Sequence, residues 1–136
     1  MQEAFSIFPV GVIRKNPSRV ELEVFSEYQD ALLGLEGFSH INVFYWFHQN
    51  DSTEKRGILK VHPRKDRSNP LTGVFATHAP VRPNLIAFSL CRIIEIDGGR
   101  ISIADIDALD GTPLVDIKGY IPPSVPADTV RVPSWV

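Results

Sequence analysis

The stretch IAFSLCRIIEIDGGRISIADI, Ile86 to Ile106, decides the fold class. Its first half, Ile86 to Ile96, is a long apolar run whose register the residues themselves do not fix. Its last part, Arg100 to Ile106, alternates cleanly between apolar and polar residues, which is the period of a strand with one buried face. Between them lies Asp97-Gly98-Gly99, and glycine supplies the positive φ that a tight hairpin turn demands. The stretch reads as a β-hairpin.

The chain outside it repeats this short-run grammar. Val20 to Val24 alternates apolar and charged residues as a half-buried strand does. Phe5 to Ile13 is rich in β-branched and aromatic residues and ends at Arg14-Lys15-Asn16-Pro17, a strand followed by a turn. Ile41 to His48 holds almost no turn residues and reads as a central strand buried on both faces. Ile58 to Val61 is a short strand, and Gly73 to Thr77 is a short apolar stretch. Leu114 to Tyr120 is a strand entered through the turn Asp110-Gly111-Thr112-Pro113. One short helix is expected near Glu27 to Leu33. There Ser26 and Gln29 have capping-box spacing, Tyr28, Leu32 and Leu35 recur at near-helical intervals, and Gly34 or Gly37 can end the turn. About seven strands with regular turn spacing predict an all-β barrel or sandwich. The chain has no strand–helix alternation and no glycine-rich strand-to-helix turn, which argues against a dinucleotide-binding Rossmann fold.

With 136 residues the chain suits a single domain, 1–136, able to bury roughly two thirds of its unfolded surface without disulfides. Residues 121–136 carry four prolines and read as an extended tail docked by Val130, Val132 and Trp135. The formal net charge of −2 exerts no global pull on nucleic acid, so any RNA binding must come from a local patch or a partner subunit. Cys91 is the lone cysteine, set in an apolar run that suits an inert buried thiol. The N-terminus lacks a basic start followed by an apolar stretch, and no apolar run approaches the ~20 residues that cross a bilayer. The expectation is a cytoplasmic protein without a membrane partner. No nucleophile elbow and no P-loop is present.

Three segments hold more polar groups than turns require. Phe75 to Ser89 is a loop stiffened by Pro80 and Pro83 that presents Thr77, His78, Arg82 and Asn84, and rigid inter-strand loops commonly carry binding residues. Solvated polar groups on a connector are the plainer reading. Asp105 to Tyr120 offers Asp105, Asp107, Asp110 and Asp116. Their spacing matches no calcium loop, so no metal site is expected. Carboxylates beside a rigid Arg/Asn loop suit a ligand with an amine and a ribose. Gly37 to Asp51 sets His40 and His48 around an aromatic strand, too far apart to share a metal. Val43, Tyr45 and Phe47 there are core or interface residues. His62 to Thr72 is basic and turn-rich, an exposed loop.

Taken together, PVGVIR (Pro9 to Arg14), LEGFSHINVFYWFH (Leu35 to His48), GVFATHAPVRPNLIAFS (Gly73 to Ser89) and DALDGTPLVDIKGY (Asp107 to Tyr120) resemble, in the same order, the TsaA-like, or TrmO-type, tRNA methyltransferase family. The third usually reads GVFATRSPxRPNPIGLS in that family and the fourth DLxDGTPxLDIKPY. The resemblance implies a single-sheet β-barrel that forms homodimers and binds S-adenosylmethionine (SAM) near the subunit interface. It also implies methylation of N6 on a threonylcarbamoyl-adenosine beside the tRNA anticodon. Carried over by motif, the cofactor walls are His78, Ala79, Val81 and Arg82 in the loop and Asp107, Ala108, Leu109 and Asp110 in the turn, completed by Leu90 and by His48, Gln49 and Asp51. Asn84 or Asp110 is the candidate acceptor for an N6 hydrogen. Arg82 is the candidate grip on tRNA phosphate or on the cofactor carboxylate.

The chain departs from the family pattern in places. His78 stands where arginine is usual, Ala79 where serine is, and Leu85-Ile86-Ala87 where Pro-Ile-Gly is. Asn16-Pro17-Ser18-Arg19 runs directly into the second strand without the longer insert of many members, and the C-terminal extension of larger members is expected to be missing. These departures keep open a non-catalytic SAM- or RNA-binding homodimeric module as the alternative.

Overall fold

The computed structural model describes residues 2–136. Its strands, in chain order, are β1 (Gly11–Asn16), β2 (Arg19–Val24), β3 (His40–Trp46), β4 (Lys60–Val61), β5 (Thr72–Gly73), β6 (Ile86–Asp97), β7 (Arg100–Ile103) and β8 (Pro113–Gly119). The chain forms two compact units, one of residues up to His48 with Ile86–Tyr120, the other of Gln49–Leu85 with Ile121–Val136. We call them the barrel unit and the loop unit.

The barrel unit is a closed antiparallel sheet in the order β1-β2-β7-β6-β3-β8, sealed where Gly11 and Val12 of β1 face Leu114 and Pro113 of β8. Six strands enclose only enough space for side chains. Ile13, Leu22, Val24, Ile41, Val43, Tyr45, Ala87, Cys91, Ile101, Ile103, Ile106 and Leu114 fill it. Outside, cations lie over carboxylates on β1, β2 and β7: Arg14–Glu23 at 2.9 Å, Arg19–Glu21 at 2.7 Å and Arg100–Glu23 at 3.6 Å.

The hairpin is β6–β7. Asp97 pairs with Arg100 around Gly98, whose φ of 59° is the conformation the first position of such turns requires. The undecided register of β6 has a structural reason. A bulge between Ile93 and Glu95 shifts the frame, so apolar residues fall on both faces of the strand.

Three expectations are corrected. β1 begins at Gly11 rather than Phe5 and runs on to Asn16. Phe5 and Phe8 are exposed, and Pro9, which has no N–H to donate, precedes the ladder. β3 buries one face, not two: Ile41, Val43 and Tyr45 point inward, while Asn42, Phe44 and Trp46 are half-buried on the outside. The short helix exists at Ser26–Leu32, but as a 3-10 turn entered from Phe25 without a side-chain cap. Gln29 donates instead to the Val24 carbonyl at 3.1 Å, so the capping box does not form.

In the loop unit, β4 and β5 pair as a two-stranded ribbon, and Thr53–Arg56 makes one α-helical turn whose start is capped by Ser52 Oγ accepting from Lys55 N. Within the tail, Val130 and Val132 are exposed, and Trp135 is tied through its carbonyl, which accepts from Arg64 Nε at 2.8 Å.

Candidate functional site

Tyr45 organises the candidate residues of the barrel unit. Its ring is buried in the core at 4% exposure, and a buried hydroxyl without a partner would cost about 1–3 kcal/mol. It has two partners: the hydroxyl donates to the Asp107 carbonyl at 2.7 Å and shares a 3.0 Å bond with Ser89 Oγ. Burial pushes the Tyr45 pKa up, against a smaller opposing pull from the Ser89 bond, so the phenol stays a proton donor.

Asp107 is therefore fixed through its backbone while its carboxylate lies exposed. That carboxylate accepts no hydrogen bond and joins no ion pair among the described residues. The neighbouring aspartates are engaged. Asp110 Oδ1 accepts from the backbone N–H of Lys15 at 2.8 Å. Asp105 meets Lys15 Nζ at 3.5 Å, and the same ammonium donates to the Ile106 carbonyl at 2.6 Å. Asp116 Oδ1 accepts from the N–H of Ile117. Gly111, at φ 84°, turns the chain so that its N–H reaches the Ile13 carbonyl, and the Leu109 carbonyl accepts from Thr112 Oγ1 at 2.7 Å. Ala108 packs on the core and Leu109 is exposed. Leu90 projects from the outer face of β6, one residue after Ser89, so the two side chains leave opposite sides of the strand. His48 is exposed at the end of this unit. Among the described residues no three His, Cys, Asp or Glu side chains gather to hold a metal.

In the loop unit the proline-stiffened segment is braced from within. Thr77 is buried; its Oγ1 donates to the Val74 carbonyl at 2.9 Å and accepts from the Ala79 N–H at 3.1 Å. Arg82 Nη1 donates to the Thr77 and Ala79 carbonyls at 3.1 and 3.0 Å. Arg56 Nε donates to the Pro83 carbonyl at 2.8 Å, its Nη2 to Asn84 Oδ1 at 3.4 Å, and its Nη1 pairs with Asp51 Oδ1 at 3.3 Å. Asp51 and Asn84 thus meet at Arg56, with Gln49 exposed nearby in sequence. His78 is exposed and Val81 half-buried.

The sequence alone does not single out the Tyr45 hydroxyl, Ser89 or Arg56. Tyr45 looks like core in an aromatic run, and only its need for a hydroxyl partner hints at more. Arg56 sits in a polar loop with no motif around it.

Residues 6–124 match the model of the tRNA-methyltransferase O N-terminal domain. A "probable S-adenosyl-L-methionine-binding protein" of Methanocaldococcus jannaschii is 49% identical over 110 residues, which cover 81% of this chain and 87% of that one. A human tRNA (adenine(37)-N6)-methyltransferase is 38% identical over 103 residues, covering 76% of this chain and 23% of its own. The crystal structure of TrmO from Pseudomonas aeruginosa superposes with a TM-score of 0.75 at 31% identity, over 99% of this chain and 63% of that one. The chain therefore spans less than two thirds of that TrmO and about a quarter of the human enzyme.

Proposed function

Because the chain belongs to the family of the tRNA-methyltransferase O N-terminal domain, we propose that it is a cytoplasmic, SAM-dependent tRNA methyltransferase acting on N6 of an adenine. The finer substrate is threonylcarbamoyl-adenosine beside the anticodon. The observation that carries the reading is the exposed Asp107 carboxylate, held in place by the buried Tyr45 hydroxyl through its own backbone.

The residues fit the cofactor's chemistry. SAM has an amine and ribose hydroxyls, which a fixed, unengaged carboxylate can accept from, and an adenine edge and carboxylate, which main-chain groups of a rigid loop can read without first becoming ordered. By its own chemistry Asp107 suits the first role, and the loop His78, Ala79 and Val81, stiffened by Arg82, suits the second. Bound there, SAM supplies a methyl group activated on a sulfonium.

The chain's own task is positioning. The N6 lone pair of adenine is delocalised into the ring, so an acceptor for an N6 hydrogen raises its reactivity as the new bond forms. Of the two candidates, Asn84 keeps the freer acceptor. Arg56 holds its amide by one lone pair of Oδ1, leaving the other to accept, whereas Asp110 is engaged with Lys15. The proton that N6 loses passes to solvent. Arg82 acts as a brace for the loop, its Nη1 being occupied by two carbonyls.

A homodimer completes the proposal. Ile86, Phe88 and Leu90 stand 45%, 50% and 48% exposed in a row on the outer face of β6, with Phe44 of β3 packed 5.4 Å from Phe88, an apolar strip of the kind that marks an interface. Leu90 meets the cofactor from this side, across the seam.

A second reading has its own support. The archaeal relatives that match over most of their length are named only as SAM-binding proteins. A methyl-transfer assay with radiolabelled SAM and bulk tRNA separates the two. Label in tRNA, lost in Asp107→Ala, is expected; SAM binding by calorimetry with no transfer would establish the non-catalytic module instead.

A further inference from the structure

We propose that the loop Lys60–Arg67 is the surface that grips the RNA phosphate backbone, a proposal that rests on the reading of this chain as acting on tRNA. The first observation is how charge divides between the two units. The loop unit holds eight Lys and Arg against four Asp and Glu, whereas the barrel unit holds six against twelve. A chain of net charge −2 therefore contains a unit of net charge +4 and one of −6.

The second observation is how the cations are occupied. On the barrel, Arg14, Lys15, Arg19 and Arg100 all face carboxylates. In the loop unit, Lys60, Lys65 and Arg67 are exposed and none joins an ion pair among the described residues. Arg64 donates through Nε to a carbonyl, which leaves its charge uncompensated. The one acid among them, Asp66, is exposed and engaged on its own turn: Oδ1 accepts from Ser68 N at 2.9 Å and Ser68 Oγ at 2.7 Å, and those bonds hold its carboxyl below the usual range, so it stays ionised and offsets one of the four positive charges.

The third observation is rigidity. Arg64 and Lys65 occupy the left-handed backbone region at φ 59° and 56°, which costs a side-chain-bearing residue of order 1–3 kcal/mol and persists only where neighbours impose it. Here they do. Pro63 is buried, and its carbonyl accepts from Asp66 N at 3.2 Å and Asn69 Nδ2 at 2.9 Å. His62 Nδ1 bonds the Asn69 carbonyl at 2.8 Å across the base of the loop. Arg64 and Lys65 are thus held in an unfavourable backbone shape, within eight residues that carry four cations against the single carboxylate of Asp66, and none of the four is ion-paired among the described residues. A polyanion with regularly spaced charges supplies what the unit lacks, and release of its counterions drives the association.

The test uses the full chain and two neutral variants, Lys65→Asn with Arg67→Gln together, and Lys60→Gln alone. Asparagine tolerates the left-handed region, so the first variant is chosen to keep the loop's shape. Arg64 is left intact because it anchors Trp135. Binding of a fluorescent anticodon stem-loop RNA is measured by anisotropy from about 50 to 300 mM salt, with SAM calorimetry in parallel. The double variant should lose about tenfold in RNA affinity near 100 mM salt, and its log–log salt slope should flatten by about one unit per phosphate contact removed. Lys60→Gln should give a smaller loss of the same kind. SAM affinity should not move in either. Unchanged RNA affinity and slope in both variants, with wild type binding RNA and SAM, would overturn the loop's role and leave the methyltransferase reading standing. A wild type that binds SAM but no RNA would overturn both. Loss of binding to phosphatidylserine vesicles rather than to RNA would reassign the loop to membranes and also overturn the proposal.

Discussion

Asp107 and Asp110 are three residues apart, share a turn, and should behave as opposites. Asp110 holds the Lys15 N–H, so Asp110→Ala should lower unfolding free energy by about 1 kcal/mol in urea titration. Asp107 has no such partner, and Asp107→Ala should weaken SAM binding by about tenfold or more at unchanged stability. The converse pattern in calorimetry and urea titration would exchange the two roles. At His78, arginine would restore a permanently charged planar fork where imidazole offers one donor and one acceptor. His78→Arg should therefore tighten SAM binding roughly tenfold; an unaltered isotherm would place His78 outside the cofactor's reach. Cys91 is a sharper case. Burial, with a smaller push from Asp105, raises its thiol pKa to about 11. At pH 8 the folded protein should resist Ellman's reagent that the unfolded chain consumes. Because the folded pKa lies above the unfolded one, this contribution to stability is complete below about pH 9 and is lost as pH rises toward 11. Denaturation midpoints across that window should fall, and fall less in Cys91→Ala.

Among the elements, Gly119 at the end of β8 carries a constraint of its own. The Phe38 ring lies on it, and a Cβ there would stand 2.5 Å from a ring carbon. Gly119→Ala should lose about 1–3 kcal/mol in chemical denaturation, and combining it with Phe38→Ala should give less than the sum of the two losses. Additive losses would mean that the ring and the glycine are not coupled. The same scale explains what was legible beforehand. β2 and β7 were readable because each has one buried face and one carrying ion pairs, so their alternation survives in the sequence. β6 was not, since its outer face is apolar and a bulge breaks its frame. The start of β1 was misplaced because apolar content continues upstream of Pro9 although ladder pairing does not. The rigid loop at Pro80 to Asn84 was visible from its prolines. Its brace was not, because Arg56 reaches one carbonyl and one side-chain amide, 27 and 28 residues further along the chain. The Tyr45 hydroxyl was hidden in the same way: its partners lie 44 and 62 residues away, and the nearer contact of the two, at 2.7 Å, is a main-chain carbonyl, which carries no residue-specific signal.

For the whole molecule, the exposed strip on β6 makes the assembly testable. Phe88→Asp places a charge in the middle of the strip, on a side chain that the barrel interior does not need. Sedimentation at micromolar concentration should give a dimer for the wild type and a monomer for Phe88→Asp, with circular dichroism unchanged. A monomeric wild type would remove the seam from the proposal.

The pairing of β3 with β6 also bears on how this chain can change. Trp46 and Ile86 are cross-strand partners, so residues 47–85 leave the sheet and return to it at adjacent positions. Topologically that whole segment is the tip of one very long hairpin. The entropy of closing such a tip rises only with the logarithm of its length, about 0.6 kcal/mol per doubling. Insertions, deletions and exchanges between 47 and 85 are therefore nearly neutral for the register of the six barrel strands. The departures at His78 and Ala79 lie within that tolerant segment, where a lineage can retune what the loop recognises while the strands that support it stay as they are.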